Sequence, residues 1–368
     1  PHKIDIGQEV TPFYSVLVAL AYKIYPSIWS LIILQILFSC FTIICIFRTL
    51  KRIVPDNLIC FIVTLLFIFY YPLWAYNFYI MMEISTVFFL TISIWLFVEF
   101  FYRKQLKFLF FSIITFSLLT LINNRFIVLL LILVVYSGYI NLGKNLLKLK
   151  HYMIILLIPI LIISPWFIRQ YNTYKRFVFF TPLWHNVIAE RIGLFKRIEV
   201  ESIEEYYEKT EPMTCKQYLN FLKDNNIFVE IKPEVFEKMI SNDKKSNIYL
   251  ERIKRYFKLY DKEFGFMYSN GEKPVLPASY PRRMIQIFIL LPFFIFSLIG
   301  IIFGLLKKNE FIILLFLFYI AHILIHVLIH FIDRYRLTIL PVLVILGAYG
   351  LFELINWIKK IALNKLYK

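Results

Sequence analysis

Apolar residues in this chain come in runs of about 20, the length that crosses a ~30 Å hydrocarbon core as a helix. Nine runs fit, at roughly 27–47, 57–73, 84–101, 107–122, 126–141, 152–168, 284–306, 311–330 and 337–358. Lipid offers no partners to open backbone groups, so each is expected to be helical. Residues 12–24, "PFYSVLVALAYKI", are apolar but too short to span. With Lys23 near the end they suit a helix lying in the outer interface, with Pro12 in its first turn and Thr11 as N-cap. The pattern changes at 169–283. There "ESIEEYYEKT", "CKQYLNFLKD" and "NIYLERIKRYFKLYDKEF" carry helical apolar spacing in a polar background, punctuated by Pro233 and by Asn242 to Asn247. The expected fold is an all-α integral membrane bundle. A membrane part (1–168) with the interfacial helix and six spans precedes a small, mostly helical outer domain (169–283). Three further spans follow at 284–368.

Composition agrees: of 368 residues, 60% are hydrophobic and 19% aromatic, well above a soluble domain. The net charge of +17 would suggest nucleic acid in a soluble chain, but here the basic residues cluster between apolar runs. One set of loops holds Arg48, Lys51, Arg52, Arg103, Lys104, Lys107, Lys144, Lys148, Lys150, Lys307, Lys308, Lys359, Lys360, Lys365 and Lys368. The opposite loops hold only Lys3, Lys23, Arg125, Arg334 and Arg336 outside the long insert. The positive-inside rule makes the first set cytoplasmic, in a plasma or inner membrane, and the insert extracytoplasmic. The lipid bilayer is then a partner and nucleic acid is not. The four cysteines form no CxxC motif and suggest no disulfide framework. The chain starts at Pro1 without a signal peptide, so a longer N-terminus with a further span is expected.

Ionisable residues at membrane depth are candidates for function. Glu83, where an outer loop enters a helix, fits a ligand for a metal or a substrate hydroxyl; it equally fits a carboxylate meeting a helix N-terminus. Asp5 and Glu9 fit a base and metal ligand, or a solvated chain end. Arg125 lies in a very short turn between apolar runs, as a fork for phosphate or carboxylate or as a snorkelling arginine. Arg169 follows an outgoing span near Trp166, which reads as an interfacial belt residue; it faces an anionic head group or anchors the helix. His322, His326 and His330 share one helix face. His330 at the outer end is a candidate metal ligand, and the deeper two suit interhelical hydrogen bonds or a polar stripe to a cavity. "HFIDRYRL" gathers His330, Asp333, Arg334, Tyr335 and Arg336 on the outer side, where topology calls for no arginine; a lipid-linked phosphate suits them. There is no P-loop, Rossmann, GxSxG or HExxH pattern, which argues against soluble nucleotide chemistry and metalloproteolysis.

Four stretches together resemble the bacterial GT-C membrane glycosyltransferases, the group of protein O-mannosyltransferases and aminoarabinose transferases. "TPFYSVLVALAYKIYP" is similar to their "P-P-x-Y-P" stretch before an in-plane helix, and "LTLINNRFIVLLLILVVY" to their "LTRP…LLLLP" turn. "SPWFIRQYNTYKRFVFFT" resembles "PWxIRNYxxFGRFVxxS", and "HFIDRYRLTILPVLVILGAYGL" resembles "HxxxRYRLPxLPxLxLLAAYGL". The resemblance implies inverting transfer of a sugar from a polyprenyl-phosphate donor to a glycan, lipid or protein acceptor, with a divalent metal ion as a possible cofactor. It implies a metal or catalytic role for Glu9, a catalytic one for Glu83, and substrate binding by Arg125, Arg169, Arg334, Tyr335 and Arg336; Asp5 as catalytic residue, His330 as metal ligand and Asp333 as substrate-binding residue rest on their own placement in the sequence. The family's catalytic Asp follows a first span not included here. Phe126, Gln170 and Thr338 stand where the motifs have Pro, Asn and Pro. A lipid-linked glycan flippase and an inactive fragment of such an enzyme are the alternatives.

The charge asymmetry predicts that a reporter inserted after Lys308 reads the cell interior and one within 169–283 reads the exterior; the reverse pattern overturns the topology.

Overall fold

The structure is a computed structural model that describes residues 12–79, 81–144, 149–174, 263–264, 276–277, 280–328 and 335–366. Eleven helices are described: α1 (Pro12–Ile24), α2 (Ile28–Ile53), α3 (Asn57–Ile68), α4 (Tyr71–Ala75), α5 (Met82–Arg103), α6 (Leu106–Ile122), α7 (Ile127–Lys144), α8 (Leu149–Tyr174), α9 (Tyr280–Leu306), α10 (Glu310–Leu328) and α11 (Tyr335–Leu366). Two strands of two residues, Glu263–Phe264 and Leu276–Pro277, pair antiparallel. The expected helices of 175–262 lie outside the described residues.

Among the described residues five helices are long and apolar enough to cross a membrane: Ile28–Ile53, Met82–Arg103, Leu149–Asn172, Ile287–Leu306 and Arg336–Asn364. A sixth arises if α3 and the stretch Tyr71–Phe78, bent by 52°, form one broken span. Leu106–Ile122, Asn124–Tyr139 and Glu310–His326 are apolar but shorter. The short apolar run at 12–24 is helix α1, with Pro12 at its first position; Thr11 lies outside the described residues.

Local chemistry sets the boundaries. Ser27 caps α2, its Oγ accepting from the Trp29 N–H, and Asp56 caps α3 by accepting from the N–H groups of Leu58 and Ile59 at 2.9 and 3.1 Å. At the break after α3, the Trp74 indole N–H donates to the Ile68 carbonyl, which the broken helix has left without its helical partner. A polar clasp holds this segment to α2. Gln35 Nε2 donates to the carbonyls of Asn77 (2.8 Å) and Tyr79 (2.9 Å), and Ser39 Oγ donates to Asn77 Oδ1 (2.9 Å). Helices α5 and α6 are joined likewise, Ser112 Oγ donating to the Ser93 carbonyl and Ser93 Oγ to Thr115 Oγ1, both at 2.8 Å.

The most intimate seam is α9 on α11. Gly300 and Gly350 face each other so closely that a Cβ on Gly350 would overlap the Phe296 carbonyl oxygen, and one on Gly300 would overlap that of Leu346. Lipid tails are as apolar as leucine, so helix pairs in a bilayer gain from such backbone approach rather than from the hydrophobic effect. At the basic end, Lys307 pairs with Glu353. This ties the α9–α10 turn to α11.

The glycine seam predicts that Gly350→Ala destabilises by about 1–3 kcal/mol, the range of overpacked cores. Gly347→Ala, whose added carbon would sit at 3.3 Å from the Phe293 carbonyl, is expected to cost less. Thermal unfolding of the purified protein checks the order.

Candidate functional site

The end of the bundle opposite the basic turns collects buried polar groups on α6, α7, α10 and α11. The α6–α7 connection is a single 3-10 turn, Asn124–Phe126, with Asn123 as its cap: the Asn123 side chain accepts from the Arg125 N–H at 3.3 Å. This turn buries Arg125, which is only 9% exposed. Snorkelling to the interface is therefore not what this arginine does. Phe126, where the family motif has Pro, packs its ring on His322, with centroids 5.9 Å apart.

His322 is the centre of the group. Its Nε2 lies 3.1 Å from Thr338 Oγ1 on α11 and 3.1 Å from His326 Nε2, one turn along α10. Both imidazoles are 1% exposed. Two facing ring nitrogens at this distance hold one proton between them, because two N–H groups would point at each other. His322 Nε2 therefore either accepts from both Thr338 and His326 or donates to both. Its link to Thr338 is an interhelical hydrogen bond of the kind expected for the deeper histidines. The Arg125 guanidinium is close enough to act on His322 electrostatically. Beside it, Asn124 Nδ2 is buried with no hydrogen-bond acceptor among the described residues.

Arg336 is buried on the first turn of α11, 8% exposed. It is at the level of the histidine group but two positions round the helix from Thr338, so it presents a different face. Tyr335 begins α11; Asp333, Arg334 and His330 lie outside the described residues, as do Asp5 and Glu9. Glu83 is in the first turn of α5 and 2% exposed. Its neighbour is Tyr14 of α1, whose phenol is pushed up by burial and then by the Glu83 charge. Arg169 differs from the others: it is exposed and stands over the Trp166 ring at 4.9 Å. Trp166, read as an interfacial belt residue, is buried within the protein, with the Arg169 guanidinium over its ring.

The structure thus sets Arg125 within electrostatic reach of His322, which in turn meets Thr338, and puts Arg336 at the same level on another face of α11. It sets Glu83 with Tyr14 and leaves Arg169 on the surface. Thr338 and Asn124 were not legible as site residues. Thr338 stood out only as a departure from Pro in the resembling motif, and Asn124 did not stand out at all. Among the described residues no three His, Cys, Asp or Glu side chains converge as metal ligands. The positive charge of Arg125 also disfavours a cation at the histidine pair. The assembled donors suit an anionic or oxygen-rich group better.

Thr338→Val keeps the shape and removes the hydroxyl. In a double-mutant cycle with His322→Leu, followed by unfolding in detergent, the coupling is expected at about 0.5–2 kcal/mol. A value near zero would mean that the two side chains do not interact.

Compared with models of known protein families, with curated proteins and with solved structures, the chain matches none.

Proposed function

We propose that the chain is a membrane glycosyltransferase of GT-C type, moving a sugar from a polyprenyl-phosphate donor to an acceptor hydroxyl on the extracytoplasmic side. One observation carries this reading: Arg125 is buried, close enough to His322 to act on it electrostatically, at the end away from the basic turns, where neither sorting nor anchoring accounts for a guanidinium. On this reading the shorter apolar helices also cross, giving nine spans, and 169–283 forms an outer domain.

In the reaction the acceptor oxygen attacks the anomeric carbon as the bond from that carbon to the phosphate oxygen breaks. The phosphate leaves with the electron pair, and a carboxylate takes the acceptor's proton. Arg125 would stabilise charge growing on the leaving phosphate, with Arg336 as a second cation at the same level. Glu83 is the acid among the described residues that serves as candidate base; Asp5 and Glu9 share that candidacy from outside them. Arg169, Asp333, Arg334 and Tyr335 would bind substrate. A divalent ion, if held by Glu9 and His330, would supply Lewis-acid assistance; no step of the transfer depends on it.

Transfer from a radiolabelled polyprenyl-phosphate sugar into membrane-extractable products tests the proposal. Arg125→Gln and Arg336→Gln are expected to lose about 100-fold or more in rate while folding normally, the effect of removing one preorganised donor. Normal rates in both variants overturn the assignment. Absence of transfer with lipid-linked glycan flux in proteoliposomes would make the chain a flippase.

A further inference from the structure

We infer that the basic end carries a second, independent site, a binding place for anionic glycerophospholipid at the junction of α2, α5 and α6. Six exposed cations meet there: Arg48, Lys51 and Arg52 from the end of α2, Arg103 and Lys104 from the end of α5, and Lys107 from the start of α6. One carboxylate organises them. Glu99 is buried beneath the patch and accepts from Arg52 Nε at 2.9 Å and Nη2 at 3.2 Å, and from Arg103 Nε. The two guanidinium groups keep further N–H donors outside that contact, on side chains that are 38% and 48% exposed. Asp56, the next acid along the chain, already accepts from two backbone N–H groups at the start of α3. The patch therefore stays strongly positive.

The cations are seated on rings. Arg48 stands over Trp95 at 5.8 Å, Lys51 over Phe47 at 5.7 Å and Lys104 over Phe101 at 4.5 Å. Arg103 and Lys107 share Phe108 at 5.5 and 5.3 Å. Lys104 takes a left-handed backbone, φ 57°, at the end of α5, which turns the chain into α6 and brings Phe108 round to Arg103. Sorting across a membrane needs charges alone; it does not need them gathered from three helices on aromatic supports. The turn at Lys307 and Lys308 makes the contrast, since Lys307 is neutralised there by Glu353.

The apolar surface adjoining the patch identifies the ligand as a lipid rather than free phosphate. Ile33, Leu37, Phe41 and Ile44 are exposed and recur at helical spacing along α2, so they form one apolar stripe that ends at Arg48. On α6, exposed Phe111 lies one turn beyond Lys107. Acyl chains on these tracks would bring a phosphodiester to the cations, each of which adds about 1 kcal/mol of attraction to an anionic surface.

The test uses the full-length protein in detergent micelles doped with phosphatidylglycerol, phosphatidylcholine or inorganic phosphate. Phosphatidylglycerol alone is expected to raise Tm, by about 3 °C or more, and to stay bound in native mass spectrometry. The variant Arg48→Gln/Lys51→Gln/Lys107→Gln leaves Glu99 and its partners intact. It is expected to keep the lipid-free Tm and to lose about tenfold or more of the retained lipid. Lys107→Gln alone should give an intermediate loss if the triple variant fails to fold. Equal stabilisation by phosphatidylcholine or by inorganic phosphate, or undiminished retention in these variants, overturns the site. None of these outcomes bears on sugar transfer.

Discussion

Inside a bilayer no water answers a polar group, so each has to be answered by another part of the chain. That requirement explains most of the polar connections between the helices. Where α3 breaks, an indole takes up the stranded Ile68 carbonyl. The segment after the break is held because Gln35 satisfies two of its carbonyls at once. Serine and threonine pair across α5 and α6, and a histidine reaches a threonine across α10 and α11. The contacts are individually modest, yet they select one packing from many that apolar surfaces alone would permit.

The two ends of the bundle use charge in opposite ways. At the basic end the acids, Glu99 and Glu353, are buried and their cationic partners lie outward. At the other end the cations Arg125 and Arg336 are themselves buried, and Arg125 acts on the His322 imidazole.

The helices could be read from the sequence because length and apolarity alone decide where a chain can cross lipid. Their edges moved by several residues, as at α2, which extends to Ile53 beyond the apolar run into Lys51 and Arg52. The bend after α3 was not legible, since it depends on Trp74 folding back onto a carbonyl six residues earlier. Arg125 and Arg336 stood out in the sequence as charges without a topological duty, and both are buried. Thr338 gained its place only through packing, because a hydroxyl in an apolar run says nothing about which helix will face it. The GIIFG spacing of Gly300 and Gly304 was a signal available in the sequence, but its partner Gly350 is fifty residues away.

The contact of Gly300 with Gly350 leaves no gap for an alkyl chain between α9 and α11. These two helices behave as a single plank, and prising them apart would sacrifice the closest packing in the molecule. Helix α8, by contrast, is largely exposed along its length, so of the five long spans it is the one least enclosed by its neighbours.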